Sequence, residues 1–118
     1  AITDAYALIK VLSREHGAYR FKIVANMVRS LREGQELFAK LSKVTDRFLD
    51  VALELVATIP FDENMRKSSR RQKTIVELFP NSPAAVAFRG LASKAVKWPI
   101  PHQPSGHLEF FIEQLVNG

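Results

Sequence analysis

The chain reads as an α/β domain, a doubly wound and mostly parallel sheet flanked by helices. Two apolar runs of strand length, residues 21–26 and 51–59, alternate with stretches of helical periodicity. Helix–strand–helix–strand is the order that a parallel sheet requires. The second run is rich in branched residues and apolar on both faces, as a strand covered by helices should be. A further observation limits the fold: two strands do not make a stable sheet, so others must come from an N-terminal half or from a partner chain.

The elements follow in order. Thr3 suits a helix cap with Asp4 in the first turn, Ala5, Leu8, Ile9 and Leu12 recur at helical spacing, and Gly17 is a stop. Strand 21–26 leads into a turn through Met27 and Ser30. A helix over 31–48 has the apolar stripe Leu37, Phe38, Leu41, Val44 and Phe48. Strand 51–59 then exits at Pro60-Phe61-Asp62, where Asp62 is placed to cap a basic helix over 63–73. An apolar stretch through Ile75, Val76, Leu78 and Phe79 meets the turn Pro80-Asn81-Ser82-Pro83, with Ser82 as cap and proline at the first helical position. The helix that follows carries Ala84, Ala85, Val86, Phe88, Leu91, Ala92 and Val96. Residues 1–97 thus form the α/β part, 98–106 a Pro-rich extended linker, and 107–118 a short C-terminal amphipathic helix. In that last helix Leu108, Phe111, Ile112, Leu115 and Val116 make one apolar face, flanked by Glu109, Glu113 and Gln114. Interfacial membrane helices favour lysine and arginine on the polar face. Docking on the protein's own body or on a partner is therefore the first reading, and lipid binding the second.

Composition narrows the function classes. With 118 residues, 47% apolar and 25% charged, the chain has the make-up of one small globular domain. It has no cysteine, so thiolate metal sites, disulfides and a cysteine nucleophile are excluded. His16, His102 and His107 lack ligand spacing, so no metal site is expected. No run is long enough to span a bilayer, and the N-terminal residues do not resemble a signal peptide. The abrupt opening at Ala1, without Met, suits a fragment or a processed chain. The net charge of +5 permits acidic protein, nucleic acid or anionic lipid as partner without choosing among them. The densest run is Arg66, Lys67, Arg70, Arg71 and Lys73, with no acid among them. A solvated helix face is its first reading, a patch for acidic protein or lipid headgroups its second, and direct DNA binding its third.

The strand ends carry the chemistry. In open α/β sheets, ligands bind beyond the carboxyl ends of the strands. Asn26 and Met27 close the first strand, and Pro60, Phe61 and Asp62 the second. Asn26 is either a turn former or a base contact, since its amide offers a donor and an acceptor side by side. Asp62 is a cap, a ligand-loop residue, or both. The 118 residues contain no Gly-x-x-x-x-Gly-Lys-Ser/Thr phosphate loop, and nucleotide hydrolysis needs that cradle together with a metal-holding acid.

The segments Val24-Ala25-Asn26-Met27-Val28-Arg29 and Val56-Ala57-Thr58-Ile59-Pro60-Phe61-Asp62-Glu63 resemble the C-terminal half of the MinD/ParA/nitrogenase-iron-protein group, P-loop ATPases with a deviant Walker A motif. Val76-Glu77-Leu78-Phe79-Pro80 and the helix after Ala84 are similar to the closing helices of that group. Ile2-Thr3-Asp4-Ala5-Tyr6-Ala7-Leu8-Ile9-Lys10, Lys43-Val44-Thr45-Asp46-Arg47-Phe48-Leu49, Trp98-Pro99-Ile100-Pro101 and Gly106-His107-Leu108-Glu109-Phe110-Phe111 resemble its FlhG/FleN branch, the MinD-like regulators of bacterial flagellar number.

The resemblance implies a P-loop NTPase-like fold, of which this is the C-terminal part. It implies ATP or ADP as ligand, with Asn26 and Met27 at the adenine edge and Pro60, Phe61 and Asp62 wrapping adenine and ribose. Met65 and Arg66 lie one helical turn further on, and Asp4 falls at an ATP-dependent homodimer interface. The Walker A lysines, the switch aspartates and the magnesium-holding hydroxyl have no counterpart in these residues, so the chain by itself should not hydrolyse ATP. A flagellar transcription activator or the flagellar GTPase is the implied partner, without direct nucleic-acid contact, in the cytoplasm or peripheral to the inner membrane or cell pole. The rival reading is a stand-alone basic interaction module without nucleotide chemistry.

Overall fold

The computed structural model of the chain describes residues 2–98 and, as backbone, 107–113. The elements are α1 (Ile2–His16), β1 (Arg20–Val28), α2 (Leu31–Phe48), β2 (Ala52–Pro60), α3 (Glu63–Arg70), α4 (Ile75–Leu78), α5 (Pro83–Ala95) and β3 (His107–Glu113). The three strands form one parallel sheet in the order β2-β1-β3.

β1 is the centre of the molecule, with Phe21, Lys22, Ile23, Val24 and Ala25 all buried. Successive side chains of a strand point to opposite faces, and the core divides accordingly. Phe21 and Ile23 join Ala5 and Ile9 of α1 and Leu41 of α2 in one apolar cluster. Val24 joins Ile59, Ile75, Ala84 and Ala85 in a second, built on α4 and α5. Each fully buried Ile, Leu or Phe contributes about 1.5–3 kcal/mol relative to exposure, so β1 and its two layers account for most of the apolar stabilisation.

Local chemistry sets the boundaries. Ser30 caps α2, its hydroxyl accepting from the Glu33 N–H at 3.1 Å. Thr74 and Ser82 cap α4 and α5 in the same way. Gly17 follows α1 at φ +71, the left-handed conformation that glycine adopts without strain. Thr3 is not the cap of α1, which already begins at Ile2. In α2 the stripe holds for Leu37, Phe38 and Leu41. Phe48, by contrast, is 57% exposed, and Thr45 is fully buried instead.

β2 is an edge strand in which only Ile59 is buried, yet it is covered on both faces as expected: Leu53 and Leu55 pack against the cluster of α1 and α2, and Val56 and Ala57 against that of α4 and α5. One other expectation is corrected. Residues 107–113 form a strand, not a helix: β3 pairs with β1 from Arg20↔His107 to Asn26↔Glu113. Leu108, Phe111 and Ile112 therefore do not form a helical face. They belong to a strand that supplies the third member of the sheet. Leu115 and the linker residues 99–106 lie outside the described residues.

Candidate functional site

The carboxyl ends of β1 and β2 are tied together. Val28 is in register with Pro60, and the Phe61 N–H donates to the Val28 carbonyl at 2.8 Å. Asn26, Met27, Pro60 and Phe61 are thereby brought to one end of the sheet, all partly exposed. The ladder between β1 and β2 is irregular between Ala25 and Val28, where Met27 takes φ 55. A left-handed methionine is uncommon and points to a backbone held by its surroundings. The Asn26 carboxamide oxygen accepts from the Met27 N–H at 2.9 Å, which fixes the amide's orientation at the rim of the sheet.

Asp62 is the most constrained side chain of this region, 9% exposed. One carboxylate oxygen accepts from the Asn64 N–H at 2.9 Å and the other from the Ala84 N–H at 3.1 Å. A single carboxylate thus serves the first turns of α3 and α5, where the partial positive charge of a helix N-terminus favours an anion. Burial pushes the Asp62 carboxyl up. The hydrogen bonds from the Asn64 and Ala84 backbones and from the Ser82 and Asn64 side chains outweigh that effect, and its pKa lies below the ordinary value. The cap was legible in the sequence. The link to Ala84, 22 residues away, was not.

The other predicted residues spread outward from this point. Met65 packs against the apolar cluster of α4 and α5, and its neighbour Arg66 is exposed on α3. Asp4 is exposed in the first turn of α1. Lys67, Arg70, Arg71 and Lys73 are exposed as well. Lys22 escaped notice in the sequence although it lies at the heart of β1. Its ammonium sits 3.9 Å from Glu54 and 5.0 Å from the centre of the Trp98 ring, so a buried cation has both an acid and an aromatic face.

A groove of about 370 Å³ runs along the outer edge of β2, lined by Leu31, Leu55, Val56, Thr58, Leu91 and Lys94 among others. The Lys94 ammonium donates to the Val56 carbonyl there at 2.9 Å. The groove lacks the convergent polar groups that mark a small-molecule site, so the strand ends are the better candidate. Among the described residues no three His, Asp or Glu side chains gather to hold a metal ion, and no helix is long and apolar enough to cross a membrane.

Met27, Pro60 and Phe61 thus stand at one rim with the Asn26 amide, whose oxygen is held by the Met27 N–H. Asp62 is less free to meet a ligand, because both of its oxygens already hold backbone. Parallel strands, flanking helices and loops gathered at the strand carboxyl ends are compatible with a fragment of a P-loop NTPase.

No family model matches the chain. It is 58% identical over 116 residues to the protein named Antiactivator FleN of Pseudomonas aeruginosa, a match over 98% of this chain and 41% of that protein. The chain is thus the C-terminal part of a FleN/FlhG-like protein, and it spans about two fifths of the curated relative's length.

Proposed function

We propose that this chain is the adenine-side and dimer-side part of a FleN-like, nucleotide-dependent antiactivator that limits flagellar number. The observation that carries the reading is the hydrogen-bonded junction of the two strand ends, which brings Asn26, Met27, Pro60 and Phe61 to one rim. Similarity to an antiactivator along nearly the whole chain supports the regulatory role. In this reading the sheet is the C-terminal part of a doubly wound NTPase sheet. The phosphates, magnesium and hydrolysis are the task of residues elsewhere in the full-length protein.

ATP, when bound, supplies the free energy that favours a dimer-competent state. This chain's own residues bind and orient the base: the Asn26 amide reads its edge, and Met27, Pro60 and Phe61 cover its faces. Asp62 positions that loop through α3 and α5. Asp4 lies toward the second copy, and the partner opposed by the dimer is a flagellar transcription activator in the cytoplasm.

Replacing Asn26 with alanine in the full-length protein is expected to weaken ATP and ADP binding by roughly tenfold, the worth of about one hydrogen bond at a recognition site. Titration calorimetry with thermal unfolding as a control checks it. Unchanged affinity in a stably folded variant would remove Asn26 from the site and return it to the role of turn former.

A further inference from the structure

The chain's excess charge is concentrated in one place. The sequence holds 17 lysines and arginines against 12 acids, and five of those cations, Arg66, Lys67, Arg70, Arg71 and Lys73, fall within eight residues that contain no acid. Without those five, 12 basic residues face 12 acidic ones. An excess equal to the net charge of +5 therefore resides in α3 from Arg66 onward and the turn that follows it.

All five side chains are exposed, and among the described residues none forms an ion pair. An ordinary solvated helix face looks different, as α2 illustrates: Arg32 there pairs with Glu36 one turn on, at 3.0 Å. On α3 the same spacing sets Arg66 beside Arg70, and it continues from Lys67 to Arg71. Like charges at that spacing are destabilising by a few tenths of a kcal/mol each. The helix dipole favours a cation or two in the last turn. It does not account for five.

The surface is also held in shape. Ser68, 2% exposed, donates its hydroxyl to the Asn64 carbonyl at 2.8 Å. The N–H groups of Arg71 and Lys73 both donate to the Ser68 carbonyl, and that of Gln72 donates to Ser69. Gln72 takes φ 56 to make this possible. A basic turn fixed in this manner loses little conformational freedom when it binds, which favours recognition over simple solubility.

We infer that the 66–73 surface of α3 docks an acidic protein segment. Three arginines favour carboxylates, which their planar guanidinium groups can grip bidentately. A membrane surface fits less well, because the run contains no exposed apolar anchor. Nucleic acid fits less well too, since no aromatic side chain interleaves the cations and α3 spans only about 12 Å. The inference stands independently of the nucleotide reading: it would survive loss of the Asn26 assignment.

The test uses a labelled poly-glutamate peptide, duplex DNA and phosphatidylglycerol vesicles as probes of the full-length protein. One triple variant, Lys67→Glu, Arg70→Glu and Arg71→Glu, removes the patch while leaving Arg66 in place. A second, Arg14→Glu, Lys40→Glu and Lys43→Glu, changes the net charge equally at other exposed positions. The first should lower peptide affinity at least about fivefold in moderate salt and the second less than about twofold, both with native circular dichroism. Equal losses would reduce the effect to bulk charge and overturn the site. So would peptide binding too weak to measure in the parent protein, or tighter binding of the DNA or the vesicles at the same salt.

Discussion

Asp62→Ala is expected to destabilise the fold by about 2–4 kcal/mol. Removing an N-cap costs about 1 kcal/mol, and stranding a buried N–H donor costs a further 1–3 kcal/mol. Asp62 carries both roles, with Asn64 at the start of α3 and the buried Ala84 at the start of α5. Asn in its place keeps one acceptor oxygen and loses the second, so Asp62→Asn should fall between. Urea denaturation of the three proteins tests the order, and an Ala variant as stable as the parent would show that the carboxylate does not hold the two helices. A pH dependence follows from the same bonds. The folded state favours the carboxylate form, because hydrogen bonding outweighs the opposing effect of burial. The stabilisation from Asp62 is therefore complete above the ordinary aspartate value of about 4 and is lost as the pH falls through the lower folded-state value. Between pH 5 and 3 the parent should lose more stability than Asp62→Asn does.

Gly34→Ala should cost about 1–3 kcal/mol even though alanine is the better helix former by about 1 kcal/mol. A Cβ at Gly34 would lie 2.7 Å from the Thr58 methyl carbon and 3.4 Å from the Ala25 Cβ. The first distance is shorter than packed carbons tolerate, and Thr58 is a β-branched residue with little rotamer freedom. α2 thus crosses β1 and β2 as closely as its backbone permits. Thr58→Ser deletes the opposing methyl, so the double variant should regain much of the loss, a coupling that denaturation midpoints can measure. A Gly34→Ala protein at or above parental stability would mean that the helix stands further off the sheet. Because α2 starts three residues after β1 ends, the proposed nucleotide role of the strand ends implies that its displacement should also weaken nucleotide binding where Asn26→Ala does.

Much of the architecture was legible because the signals were local. Gly17 marked the end of α1, Asp62 the start of α3, and Ser82-Pro83 the start of α5. The strand-end location of the candidate site was also legible, since it needs only the positions where the apolar runs stop. What escaped prediction depended on neighbours distant in sequence. Residues 107–113 satisfy two periods at once: Leu108, Phe110 and Ile112 alternate as in a strand, while Leu108, Phe111 and Ile112 recur as in a helix. The adjacent Phe110 and Phe111 create the ambiguity, and pairing with β1 resolves it. Position in the sheet was equally hidden, as Val51 to Ile59 reads the same whether a strand lies at the centre or the edge. Asp62 displayed its capping role openly, whereas its grip on Ala84 depends on how α5 folds back.

Lys94 gives the open side of the sheet a colloidal role. An edge strand presents unpaired backbone that another copy of itself can extend, the first step toward fibrous stacks. At β2 an incoming strand meets an ammonium group already bonded to the Val56 carbonyl. Adding a second copy in register would break that bond and bring two cations together. The groove beside β2 is thus guarded by a cation from α5, the kind of charge that blunts edge-to-edge pairing.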